Sequence, residues 1–420
     1  MEHAVYIFFL FAIGACAGSF LNVVVWRLPR GESIVSPPSH CPKCGKNLKW
    51  YDNLPVVGWI KLGGKCRFCG QSISARYPIV EAVTGALFAG YYVAFFMLGV
   101  GPCPNPGQVR GGWGAGFMNI SQHWPVYALY MTLLCVLLAA SLIDAELYII
   151  PLELLWFIGA VGLIVHAIID TPRTPGNLNA SAVPAALAAG GVVGLLISLA
   201  LLRAKWIRQS FADGGPLMEI DREAYEKEVE EARKQGGDVP DPAPEYTPAQ
   251  IRAEVRHEMR FLLPPLALAI GFAAVVMFWQ PAGRAWASVV SYHWFSGLLG
   301  SILGMLVGGF VVWLTRILGT LAFGREAMGM GDVHLMAAVG ACIGGGASTV
   351  AFFLAPFFGL VLAVYLLATG NKRELPYGPY LSLATAFVML FYCPIAAWLA
   401  PGMAGLRFYV GRLFGVETGV

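Results

Sequence analysis

The chain has 420 residues, 57% of them hydrophobic and 13% charged, with a formal net charge of +3. That composition excludes an ordinary soluble domain of this length and describes a polytopic membrane protein, in which the positions of Lys and Arg matter more than their sum. So small a net charge gives no support for a nucleic-acid partner, and the lipid bilayer is the partner composition implies.

The first apolar run, Val5 to Trp26, is long enough to span the hydrocarbon core, has no basic residue before it and is followed at once by Arg27 and Arg30. It reads as an uncleaved anchor with its N-terminus outside, because a signal peptide would carry positive charge before the apolar stretch. The next segment, Arg27 to Tyr77, is strongly basic and is expected in the cytoplasm. Further apolar runs cover Ile79 to Val100, Trp124 to Ile143, Leu147 to Ile169, Val183 to Leu202, Phe261 to Trp279, Gly297 to Leu318, Ala347 to Thr369 and Tyr380 to Ala400. A Gly- and Ala-rich stretch, Val333 to Gly346, falls below the roughly 17 residues of an upright span, yet counting it keeps the loop charges consistent.

The expected fold is therefore an all-α polytopic membrane protein of about ten transmembrane helices with a small cytoplasmic zinc-knuckle domain. Five segments follow: 1–26, the first transmembrane helix; 27–77, the tetracysteine domain; 78–202, transmembrane helices carrying Asp144; 203–260, a charged cytoplasmic insert; and 261–420, transmembrane helices carrying Asp332. Within the insert, Met218 to Gln235 favours helix, Asp238 to Pro248 reads as a linker, and Thr247 to Glu254 opens a second short helix. The insert is either a solvated spacer or a partner-docking element.

Alternation puts Arg27 to Tyr77, the Asp144 turn, Arg203 to Arg260, the Arg316 to Asp332 loop and Asn371 to Leu375 in the cytoplasm. Gly101 to His123 and Asp170 to Ala182, poor in Lys and Arg, lie opposite. Asp144 and Asp332 thus fall at the same face by a rule that ignores them. Ionisable groups at the ends of membrane helices are costly, and two that converge form a candidate acid/base dyad that titrates as a unit. One carboxylate would take a proton from water attacking a peptide carbonyl while its protonated partner polarises the carbonyl oxygen. Gly329 and Gly331, without side chains, would let an extended substrate backbone approach. For each aspartate alone the competing reading is a helix cap, and Glu146 could replace Asp144 as the acid.

Cys41-x2-Cys44 and Cys66-x2-Cys69 form a double knuckle in the basic loop, each with Gly after its second Cys. Two such pairs complete a tetrahedral thiolate site for a structural zinc, with no open position for hydrolysis; a disulfide pairing is disfavoured by a reducing compartment. Cys16, Cys135, Cys342 and Cys393 fall in apolar runs as packing residues, and Cys103 receives no role.

The order Gly18-Ser19-Phe20-Leu21-Asn22, Arg27-Leu28-Pro29, the two Cys pairs, Arg76-Tyr77-Pro78 with Glu81, Ser141-Leu142-Ile143-Asp144, Ile150-Pro151, Gly329-Met330-Gly331-Asp332 and Pro376-Tyr377-Gly378-Pro379-Tyr380 resembles the bacterial type IV prepilin peptidases. The resemblance implies an inner-membrane enzyme that cuts the basic leader from prepilin or pseudopilin precursors on the cytoplasmic side, typically after Gly. It also implies methylation of the new N-terminus from S-adenosylmethionine, with Asp144 and Asp332 as the catalytic aspartates. Glu146, Leu152 and His334 stand where the family often has Asp, Asp and Lys, and the permanent cation lost at His334 is expected to shift the working pH of the dyad. Val183 to Gln280 looks like a two-helix insertion into the eight-helix plan. Readings of another class are an ion-coupled membrane transporter, which would put its carboxylates near the midplane, and a non-catalytic assembly factor for a pilus or secretion machine.

Overall fold

The computed structural model describes residues 2–102, 118–171, 174–208, 210–211, 248–324, 326–369 and 376–413. The helices predicted at Met218 to Gln235, the linker after them, Cys103 and the Asn371 to Leu375 loop lie outside the described residues. Among those described, the helices are α1 (Glu2–Arg27), α2 (Val57–Lys61), α3 (Arg76–Tyr92), α4 (Ile120–Leu147), α5 (Leu152–Ile169), α6 (Ala182–Arg203), α7 (Pro248–Phe278), α8 (Gln280–Val290), α9 (His293–Phe323), α10 (Met330–Ile343), α11 (Gly345–Thr369) and α12 (Gly378–Leu413).

Every apolar run of the sequence becomes a helix. Eight are long and apolar enough to cross a membrane, namely α1, α3 with its π-helical extension Val93–Met97, α4, α5, α6, α7, α9 and α12. The other two, α10 and the apolar part of α11 over Gly345–Val361, are shorter. The chain is thus a multi-pass helical membrane protein, with eight full-length candidate spans and two short apolar helices among the described residues.

The helices meet through small residues, which let backbones approach where lipid offers no hydrophobic drive. Gly304 of α9 and Gly340 of α10 face each other so closely that a Cβ on either would stand 2.1 Å from the other's carbonyl oxygen. A Cβ on Gly308 would stand 2.2 Å from the carbonyl of Met336, and Ser301 donates to the carbonyl of Ala341 at 2.6 Å. This seam fixes α10, and hence Asp332, against α9. Around it Leu133 and Tyr130 of α4, Ile158 of α5, Met336 and Val339 of α10, Ala351 of α11 and Leu381 of α12 form the central core.

Two elements differ from the sequence reading. The short helix expected at Thr247 to Glu254 is the start of α7, which runs unbroken into the apolar stretch through Pro264 and Pro265. Pro265 has no N–H to give the carbonyl of Phe261; Ser198 of α6 donates to that carbonyl instead, at 2.6 Å, so the helix passes the prolines. Gly190 and Gly194 bring α6 into backbone contact at the same place. The connection after Trp279 contains a further helix, α8, whose Trp286 packs edge-on against Phe272 and donates to the carbonyl of Ala182 at 2.8 Å.

At the end of α5 opposite Leu152, His166 is fully buried. Its Nδ1 lies 2.9 Å from the Asp170 carboxylate and its Nε2 3.0 Å from the Cys342 carbonyl. The ring therefore bridges Asp170 at the end of α5 and Cys342 near the end of α10. Cys342 is buried as expected, and its thiol donates to the Ile158 carbonyl at 3.5 Å. Cys16 is exposed on the outer face of α1, and Cys393, expected as a packing residue, is disulfide-bonded.

Candidate active site and tetracysteine loop

Asp144 lies in the last turn of α4, which ends when Tyr148 adopts a left-handed conformation (φ 56°) and returns its N–H to the Asp144 carbonyl at 2.9 Å. Asp332 lies in the first turn of α10, where unpaired backbone N–H groups favour an acidic side chain. Both side chains are buried, at 6% and 8% exposure, and both line one cavity of about 910 Å³. The connection from α4 to α5 supplies Ile149 and Ile150 to its wall, the first residue of α5 adds Leu152, and the segment from Ala327 to Gly331 lines it as well.

The first residue of α12 completes the site. Gly378 donates its N–H to Oδ2 of Asp144 at 3.1 Å, and its Cα comes so near that a Cβ would stand 2.6 Å from that oxygen. Tyr377 lines the cavity beside it and stacks edge-on with Phe352. Gly329 has open space over its Cα, with Oδ2 of Asp332 the nearest group at 3.8 Å from an added Cβ; Gly331 also lines the cavity, but its Cα packs on Ile150. His334 lines the cavity two residues beyond Asp332, its Nδ1 2.8 Å from the Met330 carbonyl and its ring edge-on to Trp156.

Glu146 and Glu153 do not join the aspartates. Glu146 is exposed and pairs with Arg76 at the start of α3, and Glu153 is exposed in the first turn of α5.

The four cysteines converge although twenty-one residues separate the pairs. Each knuckle closes in the same way: an isolated bridge joins His40 to Asn47 and Lys65 to Ser72, and Gly45 and Gly70 both turn at φ +69°. The four sulfurs lie within 4.8 Å of one another, with Cys41 to Cys69 at 3.9 Å and Cys44 to Cys66 at 4.0 Å. Thiolates about 2.3 Å from a tetrahedral metal stand about 3.8 Å apart, so the cluster fits a metal ion. The backbone N–H groups of Cys69 and Phe68 pull the Cys66 thiol down to about 6, while burial and the neighbouring cysteine side chains push Cys69 up to about 11, as expected of thiols crowded together.

The loop is tied to its surroundings by contacts that the sequence did not assign. Arg67, inside the second knuckle, makes a bidentate pair with the buried Asp52 at 2.7 and 2.5 Å, and that guanidinium holds the Asp52 carboxyl below the usual carboxylate range. Glu81, buried in α3, accepts from the N–H of Val56 at 2.6 Å. Arg316 is the other missed residue. It is the single basic residue of its apolar run, a signal that an intramembrane charge should have raised.

Fold and site together define a polytopic helical membrane protein with two aspartates on one cavity and a tetracysteine loop whose four sulfurs could hold a metal ion. A family profile described as "Bacterial Peptidase A24 N-terminal domain" matches residues 12–95. Three proteins named "Prepilin leader peptidase/N-methyltransferase" are similar to this chain. That of Myxococcus xanthus (strain DK1622) is 56% identical over 80 residues, 19% of this chain and 24% of the relative. That of Klebsiella pneumoniae is 35% identical over 204 residues, 46% of this chain and 70% of the relative. That of Pseudomonas aeruginosa PAO1 is 34% identical over 181 residues, 37% of this chain and 52% of the relative. The chain therefore belongs to the prepilin leader peptidase/N-methyltransferase family, although the matches span only about a quarter and a half of the first and third relatives. No solved structure matches the chain.

Proposed function

We propose that the chain is an aspartic endopeptidase that removes the basic leader from type IV prepilin or pseudopilin precursors, with Asp144 and Asp332 as its catalytic pair. The observation that carries the reading is that these two carboxylates, from distant helices, line one cavity at their helix ends. The names of the relatives supply the substrate class. One carboxylate takes a proton from a water that attacks the scissile carbonyl; the other, protonated, polarises the carbonyl oxygen and then protonates the leaving amine. Gly378 holds Oδ2 of Asp144 and so leaves Oδ1 to the water. The open face of Gly329 gives the substrate backbone its approach to Asp332.

The site faces the cytoplasm of the bacterial inner membrane in this reading. The support is the Lys and Arg content of the connections on the Asp144 and Asp332 side, against the Lys- and Arg-poor segments of the opposite side. The ion held by Cys41, Cys44, Cys66 and Cys69 is a structural zinc that cross-links the loop; four thiolates leave it no open position, so hydrolysis belongs to the carboxylates. N-methylation of the new N-terminus, with S-adenosylmethionine as donor, is proposed from family membership, and no residue is assigned to that cofactor.

The test is cleavage of a prepilin-type precursor in membranes by wild type, Asp144→Asn, Asp332→Asn and Glu146→Gln. Cutting that survives either aspartate change removes that residue from the mechanism. Mass spectrometry of the mature product for one added methylene decides methylation.

A further inference from the structure

Arg316 of α9 is 2% exposed and reaches three acceptors on two different parts of the molecule. Its Nε donates to Glu258 of α7 at 3.1 Å, and its Nη1 donates to Glu326 at 2.5 Å and to the carbonyl of Met328. Glu258 is equally buried and accepts further from Trp313 Nε1 at 2.8 Å and Ser210 Oγ at 3.1 Å, so its orientation is set from three sides. Met328 is the last residue before Gly329-Met330-Gly331-Asp332 and itself lines the cavity. The two glycines contribute no side chains, so the segment is held by Met328 and Met330, which pack on the central core, and by its hydrogen bonds. Its described hydrogen bonds upstream of Asp332 are the Met328 carbonyl and Glu326 on the Arg316 guanidinium, the Ala327 N–H on Thr320 at 3.3 Å, and the Met330 carbonyl with His334 Nδ1 at 2.8 Å.

A guanidinium is the side chain that serves three acceptors in fixed directions at once; an ammonium would not hold the same geometry. Such a fork placed in a buried site needs its anionic partner, and that partner comes from α7, half of the hairpin α6–α7 that looks like an addition to the family plan. We infer that Arg316, oriented by Glu258, is a positioning residue that sets the segment carrying Asp332, so that the α6–α7 hairpin is a working part of the site and not a spacer. The inference rests on Asp332 being a catalytic acid.

The experiment uses the full chain in proteoliposomes, with Glu258→Gln and Arg316→Lys. Two quantities are read: hydrogen exchange of the amides from Ala327 to Asp332, and the kinetics of precursor cleavage. Both variants are expected to speed exchange in that segment about 10-fold or more while the middle of α9 and α10 stays protected. They are expected to lower kcat about 10- to 100-fold with KM within about twofold, the pattern of a misplaced catalytic group and not of lost substrate binding. Wild-type exchange in both variants, or faster exchange with kcat unchanged, overturns the proposal. Should Arg316→Lys fail to fold, Glu258→Gln, which keeps the volume and an acceptor oxygen, carries both readouts. Exchange reports on the clamp without any catalysis. Asp332→Asn reports on the acid: cutting retained there, with faster exchange in Glu258→Gln, would reject the role of Asp332 and leave the clamp standing.

Discussion

The N–H of Gly378 donates to Oδ2 of Asp144 across 3.1 Å, joining the first residue of α12 to the last turn of α4. A Cβ at position 378 would stand 2.6 Å from Oδ2 and 3.3 Å from Ile150 Cδ1, so the carboxylate has to turn away if one is added. Gly378→Ala is expected to lower kcat for precursor cleavage about 100-fold, the scale of a catalytic group displaced by an ångström, with a nearly unchanged melting temperature. Wild-type turnover in this variant would mean that the contact does not orient the acid.

Asp144→Asn and Asp332→Asn are each expected to abolish cleavage, because a dyad deprived of either carboxyl has no base or no acid. Glu146→Gln is expected to leave the rate within about twofold, since Glu146 spends its charge on an exposed pair with Arg76, and such pairs contribute about 0 to 1 kcal/mol. A rate profile in which Glu146 is essential and Asp144 is not would reverse the assignment.

Purified protein is expected to carry close to one equivalent of metal per chain, and Cys66→Ser to lose most of it, since the thiolate set is closed at four. The metal analysis should be accompanied by limited proteolysis of residues 27–77. Cutting within that loop is expected to rise in Cys66→Ser while the membrane helices stay intact.

Asp52 supplies an acid-dependent element to the same loop. Its folded carboxyl sits below the ordinary range, chiefly through the hydrogen bonds from Arg67, with burial opposing the shift. A depressed folded value contributes stability that is fully present above the unfolded carboxylate value and is lost as pH falls through the folded one. Amide protection between Cys41 and Ile73 should therefore exceed that of Asp52→Asn at neutral pH. The two proteins are expected to converge as pH falls through the lowered folded value of Asp52. A difference that persists unchanged into acid would show that the carboxylate charge is not its source.

His166→Ala leaves Asp170 and the Cys342 carbonyl buried without the ring they share. Leaving a buried polar group without its hydrogen-bond partner costs about 1 to 3 kcal/mol, so the melting temperature is expected to fall by several degrees. His166→Asn retains part of the hydrogen bonding and should lie between the two; equal melting temperatures for all three would remove the pair from the stability of the fold.

The membrane architecture was legible from the chain because apolar runs are local: a stretch long enough to cross hydrocarbon announces itself without reference to any other part. The two knuckles were legible for a similar reason, since Cys-x2-Cys followed by Gly encodes a turn that presents two sulfurs to one point, and the observed φ of +69° at Gly45 and Gly70 is that turn. Less was readable in α7. Its charged beginning and apolar continuation look like separate elements, and only Ser198, on a neighbouring helix, supplies the donor that carries the helix past Pro265.

Taken alone, the sequence determined the set of apolar helices, the tetracysteine loop and the two aspartates as helix-end carboxylates, because each depends on spacing within a short segment. Tertiary structure decided that Asp144 and Asp332 share a cavity, that Gly378 grips one and that Glu258 and Arg316 brace the segment bearing the other. Those facts are contacts between residues far apart in the chain. They arise from how closely glycine-lined helices can approach, a property of packing in three dimensions that no local pattern records.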